Sequence, residues 1–188
     1  MNLNQELFLL INSFANQSTS IDILAIYLAK LTPFIFIIFE MILFFILKLK
    51  NEAIFAFYSM ILALTFSKVI SLFYYHDRPF VDKLGVTLVE HLPDSSFPSD
   101  HTTFMMAIVI SFLFYAKTKK YFYLLFVVAF IGGVSRIFVG VHYPFDILSA
   151  IFIAITSSFV VYKMSYKLQS INNYILNIEA KIYKLFLS

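Results

Sequence analysis

The chain has 188 residues, of which 61% are hydrophobic and 13% charged, with a formal net charge of +3. Ordinary globular domains carry about 45–50% apolar residues, so this composition excludes a typical soluble domain and indicates an integral membrane protein. Cysteine is absent, which excludes disulfides and thiolate sites. The length allows one domain, and we expect membrane lipids, and no nucleic acid, as its partners.

Two short apolar segments open the chain. Residues 3–15 hold an apolar run that is too short to cross a bilayer, which needs about 20 residues. Residues 18–31 have Ser20 as a candidate N-cap and apolar positions at helical spacing, and we expect Pro33 to end this helix. The sequence therefore predicts two interfacial helices within residues 1–32.

The central part of the chain alternates long apolar segments with polar turns. We predict five membrane spans, at residues 33–49, 53–75, 101–116, 121–140 and 147–163. The sequence therefore predicts an all-α, polytopic transmembrane helix bundle. All 188 residues would form a single membrane domain whose transmembrane core is 33–163.

The tail, residues 164–188, has apolar side chains spaced three to four residues apart. They are Leu168, Ile171, Ile175, Ile178, Ile182 and Leu185. This pattern fits an amphipathic helix on a membrane surface. It fits equally well a helical extension of the fifth span.

Lysines cluster in the turns at one predicted end of the bundle. They are Lys48, Lys50, Lys117, Lys119, Lys120, Lys163 and Lys167. By the positive-inside rule this end faces the cytoplasm. The polar segment 76–100 and the junction 140–146 then lie together at the outer face, so we expect their side chains to meet.

The junction before the fifth span concentrates ionisable side chains. Pro144 suits the first helical position, so Asp146 is third, where a carboxylate folds back toward the residues before the helix. Asp146 can therefore orient the imidazole of His142. The alternative is that Asp146 only caps the helix and His142 is only an interfacial residue.

Ser99 and His101 lie where the third predicted span begins. A helix N-terminus offers unpaired N–H groups and the positive end of the helix dipole, which favours a phosphate. The alternative is ordinary capping by Ser99 or Asp100, with His101 in a polar loop.

Two arginines flank these segments, Arg78 after the second span and Arg136 within the fourth. Arginine at the centre of a membrane helix costs about 2.5–3.5 kcal/mol on insertion scales, and its forked donors match phosphate oxygens. The alternative for Arg136 is extension to the membrane interface. Together with the serine, histidines and aspartate, the arginines form a set that binds a phosphate, attacks it and protonates a leaving oxygen.

These residues resemble the motifs of the type 2 phosphatidic acid phosphatase superfamily of membrane lipid phosphatases. The second motif, Pro-Ser-x-His, is complete at Pro98–His101, and the third, Ser-Arg-x5-His-x3-Asp, is complete at Ser135–Asp146. Three stretches, Arg78–Val81, Phe97–Thr103 and Val139–Pro144, are similar to the bacitracin-resistance branch, the bacterial undecaprenyl-diphosphatases. The resemblance covers roughly residues 33–163.

The resemblance implies a metal-independent phosphatase that uses no cofactor. His142 would be the nucleophile that forms a phospho-histidine, Asp146 would orient it, and His101 would protonate the leaving group. Ser99 and the two arginines would hold the phosphate oxygens.

The resemblance also implies a polyisoprenoid diphosphate lipid as substrate, with undecaprenyl diphosphate cut to undecaprenyl phosphate and phosphate. The site would lie in a bacterial inner membrane and face the periplasm or the cell exterior. One alternative is a phosphatase for another lipid, such as phosphatidylglycerophosphate, a lipid A phosphate or phosphatidic acid. The other is a non-catalytic lipid-binding or transport protein, which would not need both histidines and the aspartate.

The first family motif, Lys-x6-Arg-Pro, is incomplete here, because the position seven before Arg78 is Ser71. Lys68 lies three residues earlier on the same predicted helix face, about 4.5 Å deeper. We expect Lys68 either to reach the phosphate or to pair with Glu40, which lies at a similar predicted depth in the first span.

Overall fold

The structure is a computed structural model that describes residues 1–187, and over these residues every regular element is helical, as predicted. The elements are α1 (Leu3–Asn12), α2 (Thr19–Met41) with a π-helical continuation (Ile42–Ile46), α3 (Lys50–Phe73), α4 (Asp100–Leu113), α5 (Lys119–Phe138) and α6 (Pro144–Leu187). Within this described part, four helices are long and apolar enough to cross a membrane: α2 with its continuation, α3, α5 and α6.

Helix α4 lies at the centre of the bundle. Ten of its 14 residues are buried, and it contacts α3, α5 and α6. Its length is about 21 Å, whereas the hydrocarbon layer of a bilayer is about 30 Å thick. The third predicted span is therefore a short helix enclosed by longer ones, and its lipid exposure is small.

Helix α2 shows that the predicted break at Pro33 is wrong. The helix passes through Pro33 and, with its π-helical continuation, reaches Ile46, so segments 18–31 and 33–49 are one membrane-length helix. Membrane helices tolerate proline because hydroxyl side chains and neighbouring helices compensate for the lost backbone bond. The hydroxyl of Thr32, the residue before Pro33, donates to Leu28 O at 2.5 Å.

Helix α1 is tied to the loops at one end of the bundle. Asn12 Nδ2 donates to the carbonyls of Val86 and Phe138, both at 2.8 Å, and Asn12 Oδ1 accepts from Val86 N at 2.6 Å. Phe145 N donates to Asn4 Oδ1 at 3.0 Å. The N-terminal helix is therefore fixed to the segment between α3 and α4 and to the junction between α5 and α6.

Helix α6 runs without a break into the tail, so the structure favours an extension of the fifth span over a separate helix. The polar side of this extension faces the start of α3: Lys50 Nζ lies 2.7 Å from Glu179 Oε1, and Asn172 Nδ2 donates to Asn51 Oδ1 at 3.2 Å. Five residues of the predicted apolar stripe point outward. They are Ile171, Ile175, Ile178, Ile182 and Leu185.

Candidate active site

The polar loop between α3 and α4 meets the junction between α5 and α6. Leu88 N donates to Val139 O at 3.0 Å, and Ser99 N donates to Asp146 O at 3.3 Å. The second contact joins the start of α4 to the start of α6. The two polar segments that the sequence assigns to one face are thus in direct contact.

Asp146 is the third residue of α6 and folds back on the chain before it. Its Oδ2 accepts from Tyr143 N at 2.8 Å and lies 3.3 Å from Nδ1 of His142. A carboxylate only accepts, so Nδ1 carries the proton and Nε2 presents its lone pair. This is the fold-back expected from Pro144, and it holds the buried imidazole in the tautomer that a nucleophile requires.

Ser96 belongs to the same arrangement, although the sequence analysis missed it. Its buried Oγ donates to Asp146 Oδ2 and lies 3.4 Å from His142 Nδ1. Asp146 Oδ2 thus faces three donors. Ser96 lies in a loop without periodicity, beside the equally polar Ser95, so no sequence signal distinguishes it.

Arg78 lies on the opposite edge of the His142 ring. Its Nη1 is 3.2 Å from His142 Nε2, and since a guanidinium only donates, this contact agrees with a lone pair on Nε2. Nη1 also donates to Val141 O at 2.8 Å, and Nε donates to Asp94 Oδ1 at 2.9 Å. The guanidinium is therefore fixed beside Nε2 of His142.

Arg136 supplies a second buried guanidinium, from the last turns of α5. Its side chain is 4% exposed, so the alternative of extension to the membrane interface is not what the structure shows. Within residues 1–187, Arg136 Nε and Nη2 have no hydrogen-bond partner. A buried charge without a partner is costly, so these two donors indicate a place for an anion.

Gly133, one turn before Arg136, permits α5 to approach α4 closely. A Cβ at Gly133 would lie 3.2 Å from Thr102 Oγ1. Ser99, the buried N-cap of α4, has its own Oγ 3.1 Å from the same hydroxyl. Packing of small and hydroxylated side chains thus brings Arg136 and the start of α4 to one corner of the bundle.

His101 is in the first turn of α4, half-buried, and lines a cavity between α2, α3 and α4. Its neighbour Asp100 accepts from Ser67 Oγ at 2.7 Å. Because Ser99 N is bonded to Asp146 O, His101 lies two residues from the point where α4 and α6 meet.

Lys68 is exposed on α3, and of the two alternatives for it the structure does not show the pair with Glu40. Glu40 shares a cavity with Tyr58 of α3, which lies ten residues before Lys68, or about 15 Å along the helix. Within residues 1–187, Glu40 Oε1 is buried without a hydrogen-bond partner. The expectation of this pair follows from the assumed break at Pro33, which displaced the first span along the sequence.

The surroundings of His142 keep its imidazole neutral. The pKa of His142 is lowered to about 4 in total: burial lowers it most, the hydrogen bond and charge of Asp146 oppose this, and the charges of Arg136 and Arg78 also lower it. The neutral form is the nucleophilic one. The imidazole of His142 is thus neutral at any pH well above 4.

His91 and Asp94 are two further residues of the site that sequence reasoning missed. The His91 ring centroid lies 6.4 Å from that of His142. Burial raises the pKa of the Asp94 carboxyl, but the charge and hydrogen bond of Arg78 outweigh burial and hold it below its usual value. Asp94 is therefore ionised beside Arg78, at the solvent side of the site.

An oriented neutral imidazole with guanidinium groups around it serves phosphoryl transfer, and these apolar helices belong in a membrane. The class defined by fold and site is thus a multi-pass membrane phosphatase. Residues 52–170 match the PAP2 superfamily, and the chain belongs to that family.

Curated relatives agree with the resemblance seen in the sequence. The chain is 32% identical to the undecaprenyl-diphosphatase BcrC of Bacillus subtilis, over 87% of this chain and 84% of that protein. It is 31% identical to the putative undecaprenyl-diphosphatase YbjG of Escherichia coli, over 80% of this chain and 76% of that protein. The crystal structure of Aquifex aeolicus LpxE matches with a TM-score of 0.72 and 26% identity, over 87% of this chain and 96% of that one.

Proposed function

We propose that the protein hydrolyses undecaprenyl diphosphate to undecaprenyl phosphate and inorganic phosphate. Two relatives carry undecaprenyl-diphosphatase in their names. The observation that carries the proposal is the His142–Asp146 pair beside the two buried arginines, because it joins an oriented nucleophile to an anion site.

The first chemical step transfers the terminal phosphoryl group to His142. The Nε2 lone pair attacks the terminal phosphorus, and the bond from that phosphorus to the bridging oxygen breaks. His101 gives its proton to the bridging oxygen, which leaves on undecaprenyl phosphate. Arg78 and Arg136 bind the non-bridging oxygens, with Ser99 as a further donor, and the bond from Nδ1 to Asp146 stabilises the positive charge on the imidazole.

The second step releases the phosphate. A water molecule attacks the phosphorus of the phospho-histidine, and the bond between phosphorus and Nε2 breaks. His101, now neutral, accepts the proton of the attacking water. The electron pair of the broken bond returns to Nε2, so both histidines regain their starting states.

The site is proposed to face the periplasm or the cell exterior in a bacterial inner membrane. The lysine-rich turns support this orientation by the positive-inside rule. Two ion pairs join these turns at one end of the bundle: Lys50 with Glu179, and Lys117 Nζ with Glu52 Oε1 at 3.5 Å. The chain alternates between the two ends, so the loop between α3 and α4 lies at the other end.

Phosphate release from purified lipids tests the proposed substrate. The panel contains undecaprenyl diphosphate, phosphatidylglycerophosphate, a lipid A phosphate and phosphatidic acid, each in the same detergent micelles. We expect the highest kcat/KM with undecaprenyl diphosphate. A higher kcat/KM for another lipid would make that lipid the substrate in place of undecaprenyl diphosphate. If no lipid in the panel releases phosphate, the protein would instead be a binding or transport protein.

Trapping of a labelled phospho-enzyme tests the residue roles. The His101→Ala variant retains the nucleophile and is slowed in breakdown, so it should accumulate acid-labile label on His142. The His142→Ala variant should never become labelled. Label on any other residue would refute the assignment of the nucleophile.

A further inference from the structure

A cavity of about 300 Å³ leads from the lipid-facing side of the bundle to His101. Most of its wall is apolar and comes from α2, α3 and α4: Pro33, Phe34, Ile37, Leu64 and Phe104. Three polar residues complete the wall, namely His101, Asp100 and Lys30. The cavity thus has a mostly apolar wall that suits a hydrocarbon chain, and the proposed proton donor is one of its few polar lining residues.

Lys30 is a lysine near the middle of the 28-residue span Thr19–Ile46. An ammonium group within a membrane span is costly and usually pairs with another group or contacts a ligand. In the part of the chain that the structure describes, no carboxylate lies within 4.0 Å of Lys30 Nζ. Asp100, which borders the same cavity, receives its hydrogen bond from Ser67.

The position that the first family motif reserves for lysine is Ser71, whose hydroxyl donates to Lys68 O at 2.8 Å. Neither this serine nor Lys68 borders the cavity that His101 lines, whereas Lys30 does. The lysine beside His101 thus comes from α2, a helix that carries none of the three family motifs.

We propose that Lys30 binds the phosphate of the leaving group, the one bonded directly to the isoprenoid chain, while that chain lies in the apolar cavity. This rests on the proposed function. When the bond to the bridging oxygen breaks, the departing isoprenyl phosphate gains negative charge. Because Lys30 and His101 line one cavity, the ammonium stabilises this charge where His101 supplies the proton.

Selectivity for diphosphates over monophosphates follows from this contact. The leaving group of an isoprenyl monophosphate is an alcohol, which has no phosphate for Lys30 to bind. Both substrates present the same terminal phosphate to Arg78, Arg136 and His142. Lys30 therefore discriminates between substrates that the rest of the site treats alike.

The experiment compares kcat/KM for farnesyl diphosphate and farnesyl monophosphate in the parent protein and in Lys30→Gln. We expect Lys30→Gln to lower the diphosphate value roughly 10- to 100-fold, the range for a lost charge-assisted contact. The monophosphate value should change by less than about threefold. Lys30→Arg keeps the charge and should retain most of the parent's ratio.

Two matched variants make the comparison decisive. Lys167→Gln removes an exposed helical lysine at the other end of the bundle and should leave both values unchanged. Asp100→Asn tests whether the role of Lys30 is only to neutralise the Asp100 carboxylate. In that case Asp100→Asn and Lys30→Gln should lower the stability by similar amounts. Both should then leave the ratio of the diphosphate to the monophosphate kcat/KM unchanged.

The outcomes separate this inference from the proposed function. A parent protein that cleaves the diphosphate, with an unchanged ratio in Lys30→Gln, overturns the role of Lys30 alone. A ratio that falls in Lys68→Gln and not in Lys30→Gln overturns it as well and assigns the contact to α3. A parent protein that does not cleave the diphosphate overturns the proposed function and this inference with it.

Discussion

Replacement of Ser96 by alanine should slow the chemical step and leave phosphate binding nearly unchanged. Ser96 Oγ is buried and donates to Asp146 Oδ2, the same oxygen that holds Tyr143 N and His142 Nδ1. Ser96→Ala leaves two of these three donors in place. The imidazole therefore stays near its position, but the carboxylate that orients it is held less firmly.

The magnitude follows from the kind of bond that is lost. A hydrogen bond to a charged group contributes about 1.5–3 kcal/mol, and a tenfold change in rate corresponds to about 1.4 kcal/mol. The two remaining donors retain part of the orientation, so we expect the lower end of this range. Ser96→Ala should lower kcat about tenfold and change KM less than twofold, because the arginines proposed to bind the phosphate are untouched.

Rapid-quench measurement of phospho-enzyme formation is the direct assay. The control is Ser59→Ala, since Ser59 is an equally buried serine whose hydroxyl donates only to Phe55 O within α3. That variant should form phospho-enzyme at the parent's rate. A parent-like rate in Ser96→Ala, or a rise in KM with kcat unchanged, would show that Ser96 does not position Asp146.

Three other predictions concern pH, topology and metal ions. The pKa of His142 is lowered to about 4, mainly by burial, so protonation of His142 should not lower kcat/KM between pH 7 and about 5 and should lower it only nearer pH 4. A fall in kcat/KM that is due to His142 and occurs near the ordinary histidine pKa of about 6.5 would contradict this. A cysteine in place of Leu92, whose side chain is 75% exposed, should react with an impermeant maleimide in intact cells, and one in place of Lys119 should react only after permeabilisation; the opposite pattern would reverse the orientation. Since the proposed phosphate ligands are arginines, a chelator should leave kcat unchanged, and a loss of kcat that a divalent ion restores would refute this.

The part of the site that sequence reasoning predicts best is the start of α6. Residues at the beginning of a helix have a fixed local geometry, so the position of Asp146 after Pro144 determines its contact with Tyr143 N. Assigning each turn to one face of the membrane likewise predicts that the polar segment 76–100 and the junction 140–146 meet. Both inferences use short-range geometry or the bilayer, and neither needs the packing of the bundle.

The parts that sequence reasoning misses depend on tertiary contacts. Ser96 is joined to Asp146 across 50 residues of sequence, and nothing in the sequence distinguishes it from Ser95. Lys30 was assigned to an interfacial helix because Pro33 breaks helices in water. In a bundle the helix continues, and the same lysine becomes part of a membrane span.

One bond of Asn12 joins α1, the first helix to be synthesised, to the junction between α5 and α6, the last loop to be synthesised. Asn12 emerges from the ribosome more than 120 residues before Phe138, and Asn4 more than 140 before Phe145. The contacts of α1 with the junction between α5 and α6 can therefore form only after these segments have been synthesised, whereas its bonds to Val86 need only the loop between α3 and α4. Helix α1 is also bonded next to the candidate site, since Phe145 N donates to Asn4 Oδ1, so a reporter inserted in α1 would disturb that site more than one placed on α6 beyond the bundle.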